Sequence, residues 1–186
     1  MFIRAQMITA VVVLAVCACA TKDNKVELPN PVVARQPKVP DDVTQYVKRN
    51  LPALRFVTKE DYRADQYEYF SKDIRWAVDG DFDGNGVDDI AGIMVENSRT
   101  VLLMAFHRSA KGIRHYVLAD NLGELPLGNT LRLQRAGLTW VSHADANETE
   151  YKKLKNPGIV EDLMETCHTM LHYWENGKYH SVYRGV

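Results

Sequence analysis

Apolar positions recur along the chain with two different periods, and the change from one to the other divides it. Val43, Tyr46, Val47 and Leu51 recur at near-helical spacing, with Leu54 beyond them. Asp41 or Asp42, directly after Pro40, offers a capping carboxylate, and Pro52 disfavours helix at Leu51. The pattern predicts one short amphipathic helix that stops near Asn50 and lays its apolar stripe on a sheet. From Ile74 the period falls to two: Ile74, Trp76 and Val78 alternate with Arg75 and Ala77, as in a half-buried strand. Residues 90–95 are apolar on both faces, which suits a central strand. Further strands are predicted over 101–106 and 113–118, after turns at Asn97-Ser98 and 109–112. Weaker ones follow at 130–133 and 138–143, on either side of Gln134-Arg135-Ala136-Gly137. Residues 144–157 are polar and charged and read mostly as loop, whereas 58–70 fit a helix start or a tyrosine-rich strand equally well.

The last of these elements is the sharpest. Asn176-Gly177 is a preferred type I′ dipeptide, and it places Glu175 opposite Lys178. That register sets Trp174 against Tyr179, His172 against Ser181 and Met170 against Tyr183 on one face, with Tyr173–His180 and Leu171–Val182 on the other. The predicted class is α+β: a mainly antiparallel, blade-like sheet with one N-terminal amphipathic helix and a C-terminal hairpin.

The N-terminus departs from this pattern. One positive charge, Arg4, precedes an apolar run over 7–16, the layout of a secretory signal peptide and too short to cross a bilayer comfortably. The run ends Val16-Cys17-Ala18-Cys19-Ala20, which resembles the lipobox of bacterial lipoproteins. The resemblance implies a signal peptide over 1–18 and lipid on Cys19. Cys17 is the less suitable acceptor because the bulkier Val16 precedes it. It also implies an envelope location, lipid-anchored in the membrane, with the Ala after Cys19 fitting the outer membrane of Gram-negative bacteria facing the periplasm. Cleavage after Ala18-Cys19-Ala20, giving a soluble secreted protein, is the alternative. Residues 19–40 carry Pro29, Pro31, Pro37 and Pro40 without hydrophobic period and read as an extended linker. With Cys17 removed and Cys19 acylated, Cys167 has no partner for a disulfide. A formal net charge of −1 removes the electrostatic case for nucleic-acid binding.

The chemistry concentrates at Asp79-Gly80-Asp81-Phe82-Asp83-Gly84-Asn85-Gly86-Val87-Asp88-Asp89, which holds five carboxylates and one side-chain amide. Oxygen donors at alternate positions of a glycine-bearing turn suit a hard divalent cation, Ca²⁺ above all. Counted from Asp81, position 12 is Gly92 and strand follows, so the bidentate Glu and exit helix of an EF-hand are lacking. Without an ion, like charges a few ångströms apart would repel one another. The stretch is similar to the calcium turn of the FG-GAP/VCBS repeat family, where such a loop joins adjacent antiparallel strands and the equivalent of Ile90-Ala91 continues the motif. The resemblance covers about twenty residues, 76–95. It implies Asp81, Asp83, Asn85, the Val87 carbonyl and Asp89 as ligands of a structural Ca²⁺, with Asp79 and Asp88 outside the coordination shell. The family builds propellers from several copies and this chain holds one copy, so a small domain over 41–186 is expected instead.

Catalytic patterns are weak. Adjacent strand residues point apart, which separates Cys167 from His168. His168 and His172 share a strand face, but about 13 Å apart, too far to chelate one zinc. His180 falls on the opposite face, and His107, His115 and His143 read as surface or edge residues. No nucleophile elbow, phosphate loop or HExxH pattern occurs. The expected function is therefore a calcium-stabilised, lipid-anchored envelope protein without catalysis that binds a protein or glycan. The alternative is a secreted or periplasmic hydrolase using the acidic loop or Cys167.

Overall fold

Helix α1 spans Asp41–Asn50. The computed structural model describes residues 37–65, 74–97, 100–123, 125, 127–142, 149–164 and 168–184, all within one compact unit, Val33–Val186. The expected leader, Cys17, Cys19 and most of the expected linker lie outside the described residues, as do His143 and Cys167. Pro40, rather than an aspartate, occupies the N-cap of α1; Asp41 and Asp42 sit in the first turn, where they favour the positive end of the helix dipole. The predicted stripe is cut short at its end, because Leu54 begins strand β1 (Leu54–Phe56). A 3₁₀ turn, Lys59–Asp61, follows; Asp61 accepts the Thr58 N–H and both Arg55 guanidinium donors, at 2.6 and 2.7 Å.

The first sheet is built around β3 (Asp89–Glu96). One edge of β3 pairs in two segments: β2 (Ala77–Gly80) covers 89–92 and β1 covers 94–96, both antiparallel. The other edge pairs with β4 (Thr100–Ser109), which pairs in turn with β5 (Gly112–Ala119). Pairing begins only at Ala77, and Ala77 is buried with Val78, so the alternation expected from Ile74 gives way to a short strand closed on both faces. Gly92 permits the β1–β3 junction: a Cβ there would lie 2.5 Å from the Phe56 ring.

The second sheet has the order β11–β10–β9–β6, from β6 (Asn129–Gln134), β9 (Gly158–Leu163), β10 (Thr169–Glu175) and β11 (Lys178–Tyr183). Between β6 and β9 the chain makes a separate two-stranded hairpin, β7 (Gly137–Ser142) with β8 (Thr149–Leu154). Strands β6 and β7 therefore do not pair across their turn. The expectation of loop over 144–157 is corrected at β8. That strand carries so many charges because it lies on an outer layer: Tyr151 and Lys153 are exposed, while Lys152, on the inner face with Leu154, pairs with Glu175 at 3.1 Å and covers the Tyr173 ring at 4.6 Å. In the C-terminal hairpin Trp174 faces Tyr179, His172 faces Ser181 and Met170 faces Tyr183. Asn176 and Gly177 take the positive φ values, 53° and 80°, that a type I′ turn requires.

Alternation then sorts the core into layers. Met94, Met104 and Phe106 face Val43 and Val47 of α1. Ala91, Ile93, Val95, Leu103 and Ala105 point the other way, onto Leu131 and Ile159 of the second sheet. Val160, Leu171 and Tyr173 on that sheet's outer face meet Val141 and Leu154 of the β7–β8 hairpin. Among the described residues the structure is mostly antiparallel sheet, with α1 as its one named α-helix.

Candidate metal centre

The acidic stretch joins β2 to β3, hairpin partners in the first sheet. Gly84 and Gly86, at φ 77° and 86°, let the chain turn twice within four residues, which a β-carbon would strain. Asp81 accepts the N–H of Asn85 on Oδ1 and that of Gly86 on Oδ2, both at 2.9 Å. The Asn85 N–H also reaches Asp83 Oδ1 at 3.0 Å, and Asn85 Oδ1 accepts the Val87 N–H at 2.8 Å. These short-range bonds are what Asp and Asn bring to turns. Asn85 is tied across to β4 as well, donating to the Arg108 carbonyl at 2.8 Å. Val87 is exposed.

Asp89 sits at the other extreme, with 0% exposure. Its Oδ1 accepts the Arg108 N–H at 2.7 Å and its Oδ2 the Phe82 N–H at 3.0 Å. Burial pushes its carboxyl up to about 7, the neighbouring Asp83 charge adds to the rise, and the backbone donors of Arg108, Phe82 and Asp83 oppose it. The place that costs this carboxylate most is where two other ligand-type side chains converge. Asp83, Asp89 and His107 each present an atom within 4.8 Å of the others. Each carboxylate oxygen that already accepts an N–H retains a second lone pair for an ion.

His107 is 4% exposed, so its assignment to the surface or an edge is corrected. Strand β4 continues past Phe106, and position 107 shares the inner face with 101, 103 and 105. Continuing the alternation one further residue is the signal that would have placed it. The imidazole Nδ1 lies 3.4 Å from Asp83 Oδ2, and Nε2 lies 2.7 Å from the Tyr179 hydroxyl. Burial holds His107 below its ordinary value against the opposing pull of Asp83 and then Asp81, which keeps a ring lone pair available. Burial likewise raises Tyr179, with Asp89 and Asp83 reinforcing it, so the phenol stays protonated and fixes the imidazole from behind. Tyr116 and Trp174 complete a ring cluster around His107, with centroids 4.7 and 4.6 Å away. These aromatic residues of β5, β10 and β11 had no place in the reading of the loop alone.

Of the expected ligands, Asp83 and Asp89 are brought together, and His107 joins them. Asp81 and Asn85 turn their oxygens to backbone N–H groups of the loop. The donor set fits a divalent cation: two carboxylates, one deeply buried, and a neutral imidazole. Asp83 also lines a cleft of about 310 Å³ with Asn156, Tyr173, Trp174 and Glu175. No protein-family model matches the chain, and no curated protein or solved structure matches it either.

Proposed function

We propose that this chain is a calcium-clipped, lipid-anchored domain of the bacterial cell envelope that presents a binding surface to an envelope protein or glycan. The observation that carries the reading is the convergence of Asp83 and Asp89 with His107 around a carboxylate of 0% exposure. An ion there would relieve the Asp83–Asp89 repulsion and tie the β2–β3 turn to β4, and through His107 and Tyr179 to the second sheet. Ca²⁺ is the ion that the spacing of oxygen donors in the loop favours, and its role is structural. The anchor rests on the apolar leader followed by Ala18-Cys19. The cleft beside Asp83, edged by Trp174 and Tyr173, is the surface for the partner.

Thermal denaturation in chelator and in Ca²⁺ tests the ion. At an ion concentration a hundred times Kd, linkage gives about 2.7 kcal/mol, or roughly 5–10 °C for a chain of this size. Asp83→Asn should abolish the rise. A wild-type melting temperature indifferent to Ca²⁺ would remove the clip, and a larger response to Zn²⁺ would replace calcium as the ion, since imidazole nitrogen suits zinc. Metabolic labelling with a fatty-acid analogue tests the anchor: label on the wild type and none on Cys19→Ser is expected, and persistent label on that variant contradicts it.

A further inference from the structure

A second constellation lies on the inner face of the second sheet, one rung from the aromatic cluster. His172 and Ser181 face each other across the β10–β11 hairpin, with Ser181 Oγ 2.8 Å from His172 Nδ1. The other ring nitrogen, Nε2, lies 3.4 Å from Glu161 Oε2 on β9. The remaining oxygen, Oε1, accepts from Asn129 Nδ2 of β6 at 2.8 Å. Register puts the four side chains in a diagonal row across all four strands: His172 sits opposite Ile159, and Met170 opposite Glu161. Burial grades along the row. Asn129, Glu161 and His172 are buried, at 4%, 8% and 2%, whereas Ser181 is exposed. All four line one cleft of about 360 Å³ between the sheets, whose opposite wall is apolar, from Leu118, Ala119 and Leu122.

We infer that Ser181, His172 and Glu161 form a nucleophile–base–acid relay that hydrolyses carboxylic esters in this cleft. The order of groups is the one that acyl transfer requires: a reachable hydroxyl, an imidazole within hydrogen-bond distance, and a carboxylate that fixes the imidazole. A carboxylate can only accept, so Nε2 carries the ring proton toward Glu161 and Nδ1 is left with its lone pair toward Ser181. Asn129 holds the carboxylate in place. Nucleophile and base are adjacent across a hairpin, and the acid comes from the next strand. This topology contains no strand-to-helix elbow, which is why no sequence motif marks it.

The chemistry closes without a cofactor. Ser181 Oγ bonds to the ester carbonyl carbon as its proton passes to His172 Nδ1. The tetrahedral adduct collapses, the bond to the alcohol oxygen breaks, and that oxygen leaves with the proton from His172. Water then attacks the acyl-serine and gives a proton to His172; the acyl–Oγ bond breaks and Ser181 recovers the proton. The products are a carboxylic acid and an alcohol. The apolar wall takes the acyl chain, and the cleft volume limits it to a small one. This goes beyond the binding role proposed above and uses none of the acidic-loop residues.

The full chain would be treated with a fluorophosphonate probe, which phosphonylates activated serines, and assayed with p-nitrophenyl acetate and butyrate. The labelled peptide should carry Ser181, and Ser181→Ala should abolish labelling and lower hydrolysis by at least about 100-fold while the protein stays folded with a slightly lower melting temperature, since the side chain is exposed but its hydroxyl partners the buried His172. His172→Gln should lower both by a similar factor. Because His172 is buried and its replacement could unfold the sheet, Ser181→Cys serves as the second variant: its thiol should be alkylated faster than a free cysteine, and Glu161→Gln in that background should slow the alkylation. A folded wild type that neither labels nor hydrolyses, or a Ser181→Ala form that labels as well as the wild type, overturns the assignment.

Discussion

The acidic turn and the Asn129–Glu161–His172–Ser181 row are both clusters of polar side chains against the same core, yet they are assembled in opposite ways. The turn is nearly contiguous: Asp81, Asp83 and Asn85 are organised by hydrogen bonds to N–H groups two to five residues away. In the row, each contact spans at least nine residues of sequence and exists only through strand register. The turn gathers like charges and burdens itself electrostatically, with Asp89 pushed up to about 7. The row pairs donors with acceptors and is satisfied as it stands. A cluster whose charges conflict calls for a ligand to complete it; a satisfied cluster with one exposed end can act on what reaches that end.

Substitutions that treat the two clusters alike should give different results. The largest effect on stability is expected at Asp89. Asp89→Ala leaves the buried N–H groups of Phe82 and Arg108 without their acceptor and should cost roughly 2–5 kcal/mol in urea denaturation, with or without Ca²⁺. Glu161→Gln keeps the shape and one acceptor for Asn129, so a loss of about 1 kcal/mol is expected, together with reduced ester hydrolysis. Asp83→Asn should show a sign that depends on conditions. In chelator it removes a charge that repels Asp89 and should leave the protein as stable as wild type or slightly more so; in Ca²⁺ it should leave it less stable. Asp83→Asn that destabilised the ion-free protein by more than about 1 kcal/mol would end the contrast between a burdened and a satisfied cluster.

The ion pair of Asp61 with Arg55 belongs to neither cluster and provides a reference. Hydrogen bonds from Arg55, and then from the Thr58 backbone, hold the Asp61 carboxyl below the usual range against the opposing effect of burial. Its contribution is therefore complete above the unfolded-state value, near 3.9, and is lost as pH falls through the lower folded value. Asp61→Asn should flatten that segment of the acid-unfolding curve and leave the Ca²⁺ response unchanged. A loss of the size expected for Glu161→Gln is expected at Asn176, whose φ of 53° disfavours other side chains: Asn176→Ala should cost about 1 kcal/mol without touching either cluster.

What was legible in the sequence follows the same division. The hairpin register from Met170 to Tyr183 could be read because a single dipeptide dictates it. The doubly apolar run over 90–95 identified the strand that lies between two layers. The acidic turn was legible because its donors are near neighbours, but its partner His107 was not, since it arrives from β4, whose buried end carries the polar residues His107 and Arg108 that resemble a strand's exit. Strand β8 was missed because it is a charged strand on an outer layer and its partner β7 is followed by residues without apolar period. His172 opposite Ser181 was predictable; Glu161 beside them was not, because nothing local states that β9 pairs with β10 on one side and with β6 on the other.

The central claim is that a cation sits where Asp83, Asp89 and His107 converge, and Trp174 gives it a direct reporter. The indole ring lies 4.6 Å from the His107 ring, close enough to sensitise a lanthanide bound there. Terbium titrated into the protein in chelator-treated buffer, with excitation of tryptophan, should give saturable green emission. Ca²⁺ should displace it, Asp83→Asn should abolish it, and Trp174→Phe should dim it without changing the Ca²⁺ competition midpoint. Absence of sensitised emission from the folded wild type, or emission that neither Ca²⁺ nor Asp83→Asn alters, would contradict the account.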